Sequence, residues 1–162
     1  MGVALEYGDL YFVQMPRRGL CLVLHPHDKK NYRLLATGHD RMPNPDISGG
    51  RHWLFVDRVA RGREELLGSL EGARTVGAGV YAIVFHDRRT HLAYLLESPE
   101  PLSNEQAALN IRRQTSYVIR GAKELDREGT RLVLIPSADR PPDELGADLH
   151  PIEIPPLLRK AG

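Results

Sequence analysis

An α+β domain is the fold class that the sequence predicts, with a mixed, mainly antiparallel sheet carrying two helices and an extended, Pro-rich C-terminal tail. Three observations lead there. Apolar runs of strand length recur between turn signals; two segments carry helical spacing or helix-capping residues; and the order is strands, helix, hairpin, helix, strands. A chain of 162 residues that is 41% hydrophobic and 27% charged has the size and composition of one globular domain. The composition changes after Pro136, which sets a single domain over 1–137 and a tail over 138–162, docked on the domain or on a partner subunit.

Each element has a local reason. Leu10 to Met15 reads as a first strand stopped by Pro16, and Gly19 leads into a second apolar run at Leu20 to Leu24, so the two form a hairpin. Tyr32 to Thr37 reads as a third strand. The segment 38–51 holds prolines, glycines and polar residues and is expected to be a long exposed loop, the kind that is often functional. His52 to Val56 follows as a short strand. Val59, Leu66, Leu67 and Leu70 then fall at helical spacing, with Asp57 as the expected cap and Gly72 as the stop.

The strongest local signal is the pair of β-rich runs Val80 to His86 and His91 to Leu96. Four residues, Asp87 to Thr90, separate them, which suits a hairpin loop built around a type I turn. Both faces of the first run are apolar, so it belongs in the middle of a covered sheet. Ser103 and Gln106 have capping-box spacing, with Leu102 and Ala107 as a hydrophobic staple, and predict a helix from about Asn104 to Arg113. Thr115 to Arg120 and Arg131 to Ile135 complete the strands.

Charge and cysteine content narrow the functional classes. Lys+Arg 22 against Asp+Glu 21 leaves a net charge of +1, without the broad basic field that steers nucleic acid. Cys21 is alone, so an internal disulfide and an all-cysteine metal site are excluded, and a reducing cytoplasm is the expected setting. No apolar run approaches the length of a membrane-spanning helix, and MGVALEYGDL lacks the basic start of a signal peptide. There is no GxSxG elbow, and Cys21 lies within an apolar run where a thiol is packed rather than reactive. Gly77 and Gly79 lead into a strand rather than out of one into a helix, which removes a dinucleotide-type phosphate loop.

The leading expectation is a small cytoplasmic ligand-binding or protein-interaction domain with an anion site, and with no cofactor. Its ligand surface would combine His39, Asp40 and His52 of the long loop with Arg88 and Arg89 at the hairpin tip. An alternative is a His/Asp-based metal-dependent hydrolase. If Asp87 to Thr90 form the loop, His86 and His91 face each other across the hairpin and could share a zinc ion with a third ligand from His25, His27, His39 or Asp40. A third reading is nucleic-acid binding along Arg88, Arg89, Arg112, Arg113, Tyr117, Arg120 and Lys123, weakened by eleven acids against nine bases from Glu97 onward. The tail, with Ile152 and Ile154 alternating around Glu153 before Pro155, is expected to add as an edge strand to its own sheet or to exchange in a homodimer. A membrane partner is not expected.

Overall fold

A strand that is apolar on both faces needs cover on both sides, and in the computed structural model of this protein the inner cover is supplied by the sheet itself. The structure describes residues 3–44, 51–98 and 102–136. Eight antiparallel strands close into a barrel in the order β1-β2-β3-β4-β8-β7-β6-β5. They are β1 (Val3–Met15), β2 (Gly19–Pro26), β3 (Tyr32–Ala36), β4 (His52–Ala60), β5 (Arg74–His86), β6 (Arg89–Ser98), β7 (Gln114–Arg120) and β8 (Arg131–Pro136). The expected α+β sheet with two covering helices is therefore corrected. The helices α1 (Arg63–Ser69) and α2 (Asn104–Ala108) have seven and five residues, too few to cover a sheet of this width.

Two meanders, β1 to β4 and β5 to β8, are joined where β1 pairs with β5 and β4 with β8. Closure needs sharp coiling, and the strands provide it through β-bulges and glycines. Leu5 is the extra residue of one bulge between β1 and β5, and further register shifts fall at Phe12/Val13, Leu34/Leu35 and Ala78/Gly79. A Cβ on Gly79 would lie 2.0 Å from the Leu95 carbonyl oxygen, and one on Gly8 would lie 2.1 Å from that of His25. Only glycine permits those approaches.

Alternation along each strand sorts the side chains. Leu10 and Phe12, with Leu20, Leu22 and Leu24, point inward and join Leu35, Leu54, Tyr94, Tyr117 and Leu132 in the main core. An eight-stranded barrel is just wide enough for such side chains to fill or for one small ligand to enter. Tyr11, Val13, Cys21, Val23 and Leu34 point outward, where Leu66 and Leu70 of α1 cover them. That outer layer explains why Leu20 to Leu24 is apolar at every position. The chain leaves β4 at Ala60 beside Tyr32 and enters β5 at Arg74 beside Gln14, so the connection that carries α1 passes from one end of the barrel to the other, with α1 packed on β1, β2 and β3.

The local expectations for the helices need correction as well. Strand β4 continues through Val59 to Ala60, and Gly62 rather than Asp57 precedes α1; Asp57 is the bulge residue of β4 and pairs with Arg18. Gly72, at φ +79, does turn the chain beyond α1. In α2 the Ser103 amide donates to Gln106 Oε1 at 3.1 Å, as the capping-box spacing predicts, and Gln106 Nε2 donates to the Val76 carbonyl at 2.6 Å. The helix stops well short of Arg113, because Asn110 turns left-handed at φ 59 and Ile111 enters the core fully buried.

One barrel end is plugged. The segment 38–44, expected to be exposed loop, instead buries Met42 and Pro43. The Met42 amide donates to the Leu109 carbonyl at 2.9 Å, Asn110 Nδ2 donates to the Met42 carbonyl at 2.9 Å, and Tyr117 OH donates to the Pro43 carbonyl at 2.9 Å. Residues 45–50 of that expected loop and the tail over 138–162 lie outside the described residues. No helix of the described residues is long and apolar enough to cross a membrane.

Candidate functional site

The other end of the barrel is built differently. It is formed where β2 and β7 finish, where β3 and β8 begin, and by the β5–β6 turn. Here the inward positions of the wall turn from apolar to ionic. Arg33 is opposite Leu24 and Glu6 is opposite Ile83, both inward-facing partners, so the register directs the two charged side chains into the barrel. Arg33 is 1% exposed. Its Nη1 and Nη2 donate to the two Glu6 carboxylate oxygens at 2.5 and 2.6 Å, and its Nε donates to Asp126 Oδ1 at 2.9 Å. Tyr81 OH donates to Glu6 Oε2 at 2.7 Å, and Lys29 Nζ lies 3.4 Å from Asp126 Oδ2.

A charge this deep is tolerated only when paired and hydrogen-bonded. Burial opposes the Arg33 charge, but the bonds and negative charge of Glu6 outweigh it and hold the guanidinium protonated. Burial and the same carboxylate push the Tyr81 hydroxyl upward, so it stays a donor. Partial burial works against ionised Asp126, yet Arg33 and Lys29 hold its carboxyl below the ordinary value. The chain between β7 and β8 is thus fastened over this end, with Leu125 seated in the core beside the Asp126 pair.

A cavity of about 460 Å³ lies against this network. Leu5, Ile83, Phe85 and Leu125 supply its apolar surface, and Lys29, Lys123 and Thr90 stand with them. Phe85 is 45% exposed and Leu5 60%. A groove of about 750 Å³ adjoins it and shares Thr90 and Lys123. Arg88, Arg89, Arg120 and Lys123 line the groove, with Glu124 as its one acid among the described residues. Among the described residues, none of those four cations has a carboxylate within ion-pair distance.

The turn that carries Arg88 and Arg89 differs from its expected form. Asp87 and Arg88 both have positive φ, 50° and 63°, and His86 pairs with Arg89. This is a two-residue type I′ turn, whose twist matches the strands better than a type I turn. The slip places His91 opposite Val84 rather than His86. Both histidines face outward, with ring centroids 6.2 Å apart, and burial holds His91 below its ordinary pKa.

The remaining predicted site residues are dispersed. His25 and His27 flank the partly buried Asp9 on the outside of β1 and β2, with His27 Nε2 3.1 Å and His25 Nδ1 3.9 Å from its carboxylate. Burial keeps His25 from charging readily and raises Asp9 against the pull of His27. Strand β1 lies between this pair and the β5–β6 hairpin that holds His86 and His91. His39, Asp40 and His52 line a shallower space of about 390 Å³ with Asn110 at the plugged end. Partial burial and the neighbouring His39 hold His52 below its ordinary pKa. The surface expected to unite these three with Arg88 and Arg89 is therefore divided between the two barrel ends. Among the described residues, no group of three or more His, Cys, Asp or Glu side chains is placed to hold a metal ion.

Sequence reading did not single out Glu6, Arg33, Tyr81 and Asp126. One signal was present: Arg33 interrupts the apolar run of β3 at a position that alternation assigns to the inner face with Leu35. Comparison of the chain with protein-family models, with curated proteins and with solved structures finds no match to any of them.

Proposed function

We propose that this is a ligand-binding protein whose ligand is a small anion held at the unplugged end of the barrel. The observation that carries the reading is the groove at that end, in which Arg88, Arg89, Arg120 and Lys123 stand without carboxylate partners among the described residues. Arginine forks suit phosphate and carboxylate oxygens, which they meet in pairs. The type I′ turn fixes the backbone beneath Arg88 and Arg89, so binding orders their side chains and not the loop. Mouths of β-barrels are also common ligand sites. The lone, buried Cys21 suits work in a reducing cytoplasm.

Calorimetric titration of inorganic pyrophosphate into the full chain tests this. Saturable binding that weakens with added salt is expected, and Arg88→Ala/Arg89→Ala should weaken it by about tenfold or more. Absence of saturable binding, or an unchanged affinity in the double variant, would overturn the reading. Single-stranded RNA binding more tightly than pyrophosphate, with a steep salt dependence, would replace it with nucleic-acid binding.

A further inference from the structure

The groove accounts for an anionic group but leaves the adjoining apolar cavity unused. We infer that the ligand is amphipathic, with a compact apolar body seated against Leu5, Ile83, Phe85 and Leu125 and one acidic group turned toward Lys123 and the arginines. This rests on the anion reading above and adds the chemical class of the ligand.

Three observations converge on it. The cavity and the groove are neighbours, since Thr90 and Lys123 line both. The cavity has about 460 Å³, within the usual range for a small-molecule site. Its charges are already committed, with Arg33 held by Glu6 and Asp126 and Lys29 held by Asp126. Lys123 is the cation of its lining that lacks a carboxylate partner among the described residues, and it stands at the junction. A second anion placed deep in the cavity would meet Glu6 and Asp126, whereas an apolar body there displaces water from Phe85 and Leu5. The physical chemistry therefore orients the ligand, apolar part inward and acid outward.

Dansylaminoundecanoic acid, which brightens on entering an apolar site, is the probe, with its methyl ester and pyrophosphate as comparators. The acid should bind about tenfold more tightly than the ester, because only the acid reaches the cations. Phe85→Ser, at an exposed position, should weaken the acid by about tenfold while leaving pyrophosphate within about twofold. Lys123→Glu should weaken both. Circular dichroism of each variant confirms that the barrel is intact. Equal affinity for acid and ester, or indifference of the acid to Phe85→Ser while pyrophosphate still requires Arg88 and Arg89, would overturn this inference and leave the groove reading standing. Failure of pyrophosphate to bind would overturn both.

Discussion

Replacing Glu6 by Gln tests whether the buried guanidinium depends on a single carboxylate. The substitution keeps the shape of the side chain and removes its charge. Arg33, 1% exposed, would then face an amide in place of the bidentate partner now at 2.5 and 2.6 Å. Asp126, on a half-exposed side chain, would be its remaining anion. Breaking one side of a buried pair costs about 3–5 kcal/mol, because the other charge stays desolvated. The Gln carbonyl still accepts one bond, so about 3 kcal/mol is the expected loss. For a domain of this size that corresponds to a fall in Tm of about 6–12 °C. Urea unfolding followed by far-UV circular dichroism measures it. The double variant Glu6→Gln/Arg33→Met should recover at least about half of the loss, since it no longer buries an unmatched charge. A Glu6→Gln cost under about 1 kcal/mol, or a double variant no more stable than the single, would refute the reasoning.

Two more outcomes follow from the same chemistry. Asp126 titrates below its ordinary value when folded, so its pairs with Arg33 and Lys29 contribute stability above the unfolded carboxylate pKa of about 4, and that contribution is lost as pH falls through the lower folded value. Stability of the wild type should therefore drop more steeply below about pH 4 than that of Asp126→Asn; parallel acid limbs in pH-dependent urea melts would contradict this. Cys21 is fully buried under α1, and burial pushes its thiol up to about 11 despite Arg18 nearby. Ellman's reagent at pH 8 should leave the native protein unmodified and react with one thiol after denaturation, whereas fast reaction of the native chain would show that the α1 layer opens readily.

Much of the strand content was legible because alternation and turn residues are local. Leu20 to Leu24, Val80 to His86, His91 to Leu96, Thr115 to Arg120 and Arg131 to Ile135 all lie within strands of the barrel. The start of α2 was legible for the same reason, since Ser103 and Gln106 are three residues apart. The first part of β1 was not, because Glu6 occupies an inward position that an apolar pattern does not mark. Helix lengths failed where distant packing decided them: α2 ends early so that Ile111 can fill the plugged end beside Met42. In the candidate site, Arg88 and Arg89 were visible as a charged turn, while the cavity beside them was not.

The sequence by itself determined the central part of most strands, their apolar positions, and that one turn carries paired arginines. It did not determine closure. Val13 pairs with Thr75 and His52 with Leu134, contacts that no local period encodes, and these two seams turn an apparent layered sheet into a barrel with an interior. The ionic network was decided the same way, since Arg33 lies 27 residues from Glu6 and 93 from Asp126. Only when the seams close are these charges withdrawn from water together, and desolvation then makes each depend on the others.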